Sequence, residues 1–345
     1  MTSPDAIAAA FRDHGGNLAA AAAAFGRPRD QWLDLSTGIT PRPYPVPPLP
    51  AEAWTRLPEP ADLARLLDAA RSGYAVADTA AVVAAPGTQA LIQWLPRLRR
   101  PGRVAVVGPT YGEHARAWAA VGHTVRDPLP LETVEAEAAA GRLEVAVVVN
   151  PNNPDGRRLD PDRLLALAAR LAGGGGWLVV DEAFADVTPE LSLCPRAGGA
   201  GLVILRSPGK FHGLAGLRLG LCAGDAAVAE ALTSALGPWA VSGPALAVGT
   251  AALADLAWAA AARHWLERQA AALDSVLTAA GLPVAGGTSL FRLVATPQAE
   301  AVFARLCRAG ILTRPFAYAP TWLRLGLPGD DAGLSRLAAA LGTGE

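Results

Sequence analysis

The stretch LVILRSPGKFHGLAGLRLGL, residues 202–221, decides how this chain folds. Its first four residues are a short apolar, β-branched run of buried-strand type. Arg206-Ser207-Pro208-Gly209-Lys210 then breaks the run with a turn and presents an amine. All but one of the thirty basic residues in the chain are arginine, and Lys210 is the exception. A chain with that bias keeps a lysine where it needs an amine that can lose its proton, which a guanidinium does not do. A solvated surface lysine is the plainer alternative. Working outward, comparable runs stand at AAVVAA (80–85), RVAVV (103–107), EVAVVV (144–149), WLVV (177–180) and LRLGL (217–221). The segments between them, such as Thr88–Leu98 and Pro161–Leu171, have the length and leucine spacing of crossover helices. The alternation predicts an α/β fold: a mostly parallel sheet with helices on both faces.

The pattern changes on either side. TPRPYPVPPLP (40–50) cannot be helix and reads as an extended arm or linker. Past residue 225 come a long Ala/Leu helical pattern (244–280), strand-like SLFRLV (289–294), a helix near Ala299–Ala309 and strand-like TWLRLGL (321–327), the elements of a smaller α+β domain. The expected division is an N-terminal arm over 1–45, a large domain over 46–235 and a small domain over 236–345. At 345 residues and 51% hydrophobic the chain can bury a sizeable core. Thirty basic against thirty-one acidic residues argue against a nucleic-acid or anionic-membrane partner. Cys194, Cys222 and Cys307 are too scattered for a disulfide framework or a CxxC site, and the five histidines show no metal-ligand spacing. No metal, signal peptide or membrane span is expected, and the reading is cytoplasmic.

In an open parallel sheet, ligands collect at the carboxyl ends of the strands. After AAVVAA come Gly87, Thr88 and Gln89, a glycine turn at a helix start that suits a phosphate or merely caps the helix. After RVAVV comes Tyr111, a stacker for a flat heterocycle or a buried structural tyrosine. After EVAVVV comes Asn150-Pro151-Asn152-Asn153-Pro154-Asp155-Gly156, a turn whose amides can donate to a ring hydroxyl. After WLVV comes Asp181, a helix cap or the partner of a protonated pyridine nitrogen. Together these supply a phosphate cradle, a ring stacker, a ring-oxygen donor, a pyridinium partner and a single amine, the parts of a pyridoxal phosphate site.

The NPNNPxG, DEAF and SPGKxxGLAGLRLG elements resemble those of the fold-type-I pyridoxal-phosphate enzymes, in their histidinol-phosphate aminotransferase-like branch, over residues 14–326. That resemblance implies a large domain with a mostly parallel seven-stranded sheet, a small C-terminal domain, pyridoxal 5′-phosphate as cofactor and a homodimer. It implies Lys210 as the Schiff-base lysine, Asp181 on the pyridine nitrogen and Asn153 on the phenolic oxygen. Gly87, Thr88, Gln89, Ser207 and Arg218 fall on the phosphate pocket, Tyr111 on the stacker and Arg324 on the clamp for a substrate carboxylate. Two positions depart from the pattern. Phe184 stands where many relatives have a tyrosine that donates to the ring oxygen, and Leu57 where relatives often carry a tyrosine reaching the cofactor phosphate of the partner subunit.

His14-Gly15-Gly16-Asn17-Leu18, followed by Asp34-Leu35-Ser36-Thr37-Gly38-Ile39-Thr40-Pro41, resembles the opening of the L-threonine-O-3-phosphate decarboxylases of cobalamin biosynthesis. It implies that His14, Gly15, Gly16, Asn17 and Thr37 meet a substrate phosphate or carboxylate; a simple helix stop at Gly15-Gly16 is the alternative. Arg314 is a second candidate for the substrate phosphate. The expected activity is decarboxylation of L-threonine O-3-phosphate, with an aminotransferase acting on histidinol phosphate as the alternative and an inert scaffold as a third reading.

Overall fold

The computed structural model describes residue 11 and residues 15–343. The chain divides into two compact units, one of Tyr44–Asn153 with Arg157–Ala259, the other of the residues up to Pro43, Pro154–Gly156 and Ala260 onward.

The larger unit is built on β1 (Ala81–Ala85), β2 (Arg103–Val107), β3 (Thr124–Leu129), β4 (Val145–Val149), β5 (Trp177–Asp181), β6 (Leu202–Arg206) and β7 (Gly220–Gly224). They form one sheet in the order β1-β7-β6-β5-β4-β2-β3. Neighbours from β6 to β3 pair in parallel, and β7 runs antiparallel to both β6 and β1. Every residue of β4 is buried, because the sheet is covered on both faces. Alternate residues divide between the two cores. Ala105, Ala146, Val148, Leu178, Val180 and Ile204 meet Leu66, Val134, Leu164 and Leu246 on one face. Val104, Val106, Val145, Val147, Val179 and Val203 meet Leu91, Ile92, Trp118 and Leu232 on the other.

The helix Pro161–Ala172 shows how sequence sets one of these elements. The Asp160 side chain accepts from the Arg163 amide (3.0 Å), proline occupies the first turn, and Leu164, Leu167, Ala168 and Leu171 bury one stripe. Leu164→Ala removes a fully buried side chain, a change that costs about 2–5 kcal/mol.

Two strands differ from the sequence expectation. β3 was not anticipated, because Arg126, Asp127 and Pro128 lie on an exposed edge strand with no apolar run. The expected strand at 217–221 begins at Gly220 instead: Ala215–Leu217 is a 3₁₀ turn and Arg218 is left-handed at φ +53°. The helix Gly243–Ala254, expected to open the small domain, belongs to the larger unit. It lies so close to the helix Pro60–Gly73 that a Cβ on Gly73 would come 2.6 Å from the Leu253 carbonyl.

The smaller unit carries an antiparallel sheet of β8 (Val284–Thr288), β9 (Phe291–Ala295), β10 (Arg314–Pro315) and β11 (Trp322–Gly326), ordered β10-β11-β9-β8. Its helices Ala299–Arg308 and Asp331–Leu341 bury Phe303, Leu306, Leu337 and Leu341. The start of the arm is part of this unit: Leu33–Asp34 pairs in parallel with Ile311–Leu312, and Leu35, fully buried, is bonded to Leu312 and Gly326. The N-terminal arm expected over 1–45 thus contributes to the core of this unit through residues 33–35. Among the described residues no single helix is long and apolar enough to cross a membrane.

Candidate active site

The polar residues foreseen after each strand gather through bonds that can be followed from one loop to the next in the larger unit. Gly87 ends the loop after β1 at φ +89°, and an ideal Cβ there would lie 2.6 Å from Arg218 Nη2. The positive φ is what calls for glycine, since the arginine tip could move aside. Arg218 is itself held left-handed with Nη1 donating to the Ala215 carbonyl (3.1 Å), a backbone state that a long side chain adopts only under constraint. The amides of Thr88 and Gln89 open the helix Thr88–Trp94, where no preceding turn of helix accepts them. The Gly87 amide, offered to a phosphate by the sequence reading, instead donates to the Ala85 carbonyl (2.7 Å) because the turn is tight. Gly220 lets β7 approach this loop: a Cβ there would sit 2.3 Å from the Thr88 nitrogen. The Thr88 hydroxyl donates to the Arg206 carbonyl (3.3 Å), tying the loop to the strand that leads into Ser207 and Lys210. Ser207 caps the short helix Pro208–Phe211 by position, without a side-chain bond. Lys210 is half-buried.

A second chain of contacts runs through the aromatic. The Tyr111 hydroxyl donates to Gln89 Oε1 (3.3 Å), and Gln89 Nε2 donates to Glu113 Oε2 (3.1 Å). The Tyr111 ring stands edge-on to His114 (6.2 Å between centroids). His114 Nε2 lies 2.9 Å from Asp181 Oδ2, with both side chains buried, while the Ala183 amide donates to Asp181 Oδ1 (2.9 Å). The sequence reading missed His114. Its only signal was spacing, a histidine three residues after the aromatic at the start of a helix, so that both rings share one face. Of the asparagines after β4, Asn150 exchanges two bonds with Leu159 (3.1 and 2.9 Å). Asn152 accepts from the Thr110 hydroxyl (2.6 Å) and donates to the Pro109 carbonyl (2.9 Å). These two hold the loop, and the family position falls on Asn153, which is buried. Phe184 is buried as well.

The smaller unit carries the foreseen substrate residues. Arg314 and Arg324 are direct cross-strand partners between β10 and β11. Arg324 is buried, with Nη2 donating to the Ser36 carbonyl (2.8 Å) and its guanidinium carbon 5.2 Å from the Phe291 ring centre. Burial, and after it the charge of Arg314, hold the Arg324 guanidinium down to about 9. Gly15 lies against Ser36, where a Cβ would clash with the Ser36 carbonyl at 2.3 Å, and the Gly16 amide donates to Ser36 Oγ (2.7 Å). Asn17 accepts from the Ala20 amide (3.1 Å) as the cap of the helix Leu18–Phe25. The Gly16 amide thus has an acceptor within the arm, and the Asn17 side-chain oxygen caps the helix. Thr37 is half-buried, and its carbonyl would lie 2.4 Å from a Cβ on Gly326. His14 lies outside the described residues.

The description of the family "Aminotransferase class I and II" matches residues 60–341. The chain belongs to the class I and II aminotransferase family. It is 47% identical over 329 residues to the threonine-phosphate decarboxylase of Pseudomonas aeruginosa and 49% identical over 333 residues to that of a Sinorhizobium species, covering 95% of this chain and 97% of each relative. It is 32% identical over 289 residues to the histidinol-phosphate aminotransferase of Frankia casuarinae, covering 78% of this chain and 72% of that one. Its fold matches histidinol-phosphate aminotransferase from Sinorhizobium meliloti in complex with pyridoxal-5′-phosphate, with a TM-score of 0.80 at 21% identity, over 94% and 93% of the two chains. The fold is that of the fold-type-I pyridoxal-phosphate enzymes.

The residues present fit pyridoxal 5′-phosphate. The Arg218 guanidinium stands next to Gly87 at the start of a helix whose first amides follow, a pairing that suits a phosphate. Asp181, buried and oriented by His114 and the Ala183 amide, suits a pyridinium nitrogen.

Proposed function

We propose that this chain is a pyridoxal 5′-phosphate-dependent decarboxylase that converts L-threonine O-3-phosphate to (R)-1-aminopropan-2-yl phosphate in cobalamin biosynthesis. The observation that carries the reading is the contrast in similarity: 47–49% over 95% of the chain to threonine-phosphate decarboxylases, against 32% over 78% to a histidinol-phosphate aminotransferase. When bound, the cofactor would supply an electrophilic aldehyde for an amine and a protonated ring able to accept electrons.

The chain's own residues do the rest. Lys210, the only lysine, would hold the cofactor at its aldehyde until the substrate amine displaces it, and its freed amine would then be the group placed to carry the proton at Cα. Asp181, fixed by His114, holds the proton on the ring nitrogen. Asn153 donates to the ring oxygen without help from Phe184, and Tyr111 covers the ring. Thr88, Gln89, Ser207 and Arg218 hold the cofactor phosphate. Arg324 takes the substrate carboxylate as a planar fork, and Arg314 takes its phosphate. A doubly anionic substrate answers the pairing of two arginines on neighbouring strands. Gly15 and Thr37 complete the substrate side, to which the sequence alone assigns His14.

The enzyme acts as a homodimer, a reading supported by the apolar side chains left exposed between residues 46 and 63. Its three buried free thiols support a reducing, cytoplasmic setting. The deciding assay supplies O-phospho-L-threonine and measures carbon dioxide and amine separately. Equal amounts of both are expected. An enzyme that passes the amino group of histidinol phosphate to 2-oxoglutarate and releases no carbon dioxide would establish the aminotransferase instead.

A further inference from the structure

Behind the strand ends that present Asp181 and Lys210 lies a buried ionic cluster that the reaction does not itself use. Arg206 and Asp186 are each 3% exposed and Glu182 is fully buried. Arg206 Nη1 donates to Glu182 Oε2 (2.8 Å), and its Nη2 lies 3.1 Å from Asp186 Oδ1. The Ser192 hydroxyl (2.5 Å) and the Leu193 amide (2.7 Å) donate to the same Glu182 carboxylate, and the guanidinium carbon sits 4.0 Å from the centre of the Tyr74 ring. Burial pushes the Glu182 carboxyl up, with Arg206 pulling the other way, so the cluster is held against a desolvation penalty. Such clusters are often replaced by apolar side chains without loss of stability, so their worth is to be sought in geometry.

The placement of these residues is what gives them a role. Glu182 directly follows Asp181 in the chain, and Arg206 directly precedes the Ser207–Lys210 turn. The Arg206 carbonyl accepts the Thr88 hydroxyl, so the phosphate loop hangs on the same residue. On the far side of Lys210, His212 is buried in the field of Asp186 and Arg206 and stacks on Trp258 at 5.3 Å and 16°. Residues 206–212 are thus fixed at both ends, with the lysine between.

We propose that Arg206, bridging Glu182 and Asp186, is the positioning residue that sets the Lys210 turn against Asp181 and the Thr88 loop, so that all three meet one cofactor. This inference rests on the assignment of Lys210 and Asp181 to pyridoxal phosphate made above.

The test begins with wild-type holoenzyme reduced by borohydride and mapped by peptide. A pyridoxyl label away from Lys210 overturns the assignment, whereas a label on Lys210 leaves the positioning question to the variants. Full-length Asp186→Asn and Arg206→Lys are compared with a triple variant, Arg206→Met with Glu182→Met and Asp186→Leu. The readouts are the melting temperature of the cofactor-free protein, the pyridoxal phosphate dissociation constant by tryptophan fluorescence, and kcat and KM for O-phospho-L-threonine. Displacing reacting groups by about 1 Å costs on the order of 100-fold. The single variants leave a buried charge poorly paired and should melt several degrees below wild type, bind cofactor about tenfold more weakly, and lose about 10- to 100-fold in kcat with KM little changed. The triple variant should show the same losses with an equal or higher melting temperature. Cofactor affinity and kcat within about twofold of wild type in the single variants overturn the proposal. So does failure of both single variants to fold, because the cluster would then serve stability alone.

Discussion

Arg314 and Arg324 face each other across two strands, and like charges in that register are unfavourable by up to about 1 kcal/mol. Burial and the neighbouring charge hold Arg324 down to about 9, so the fold works against its cation. On the proposed reading, a substrate anion would relieve it. Arg324→Ala should then lose about 2–5 kcal/mol in kcat/KM, leave cofactor affinity unchanged, and melt no lower than wild type. A fall in cofactor affinity to match the fall in turnover would move Arg324 out of the substrate site. The three cysteines lie at the opposite extreme of reactivity. Burial is the chief cause that pushes each thiol up to about 12, so none is a thiolate near neutrality. An aromatic disulfide reagent at about pH 8 should react with none of them in the native protein and with all three after unfolding; one rapidly reacting native thiol would contradict the burial. Residue-scale chemistry was legible where composition or local sequence carried it. Lys210 announced itself by being alone among arginines, whereas the bond of His114 to Asp181 joins residues 67 apart and exists only through packing.

At the scale of elements, what the sequence hid is what periodicity cannot express. Five of the seven large-sheet strands were apolar on both faces and could be read directly, with ends correct to about one residue. β3 sits at an edge with Arg126, Asp127 and Pro128 in a row, and β7 starts only after a left-handed arginine that no propensity scale anticipates. The strand in the arm was hidden because its partner, Ile311–Leu312, lies nearly 280 residues away. The short helix of Lys210 ends in His212, whose pKa is lowered from its ordinary 6.5, mainly by burial. The unfolded chain therefore binds the proton more readily than the folded one. The stability His212 contributes is whole above about 6.5 and is lost as pH falls from that value toward the folded pKa. Urea midpoints should drop between about pH 7.5 and 5.5, and His212→Asn should flatten that slope. An unchanged slope in the variant would assign the pH dependence to other groups.

At the scale of the whole molecule, the large unit presents apolar side chains that a lone copy has no reason to expose. Trp54 is 68% and Leu57 65% exposed, with Val46 and Leu63 close by in the chain. Beside them lies a groove of about 430 Å³ lined by Pro50, Ala53, Arg56, Leu57, Gly243 and Leu246. Gly243 lets the helix Gly243–Ala254 come against the short helix Glu52–Thr55, since a Cβ there would lie 2.3 Å from the Ala53 carbonyl; the groove is a fixed feature of the fold. Exposed large apolar side chains beside a shaped groove suit an interface, and a specific one buries at least about 1,000 Å² in all. A second copy of this chain is the expected occupant. Leu57 and Trp54 then sit at its centre, where truncation or charge is felt most. Sedimentation velocity should show a dimer at micromolar concentration. Trp54→Arg combined with Leu57→Arg should shift it to monomer, with turnover lost in parallel and the secondary structure retained. Wild-type protein that sediments as a fully active monomer at that concentration would remove the dimer and leave the groove open to another partner.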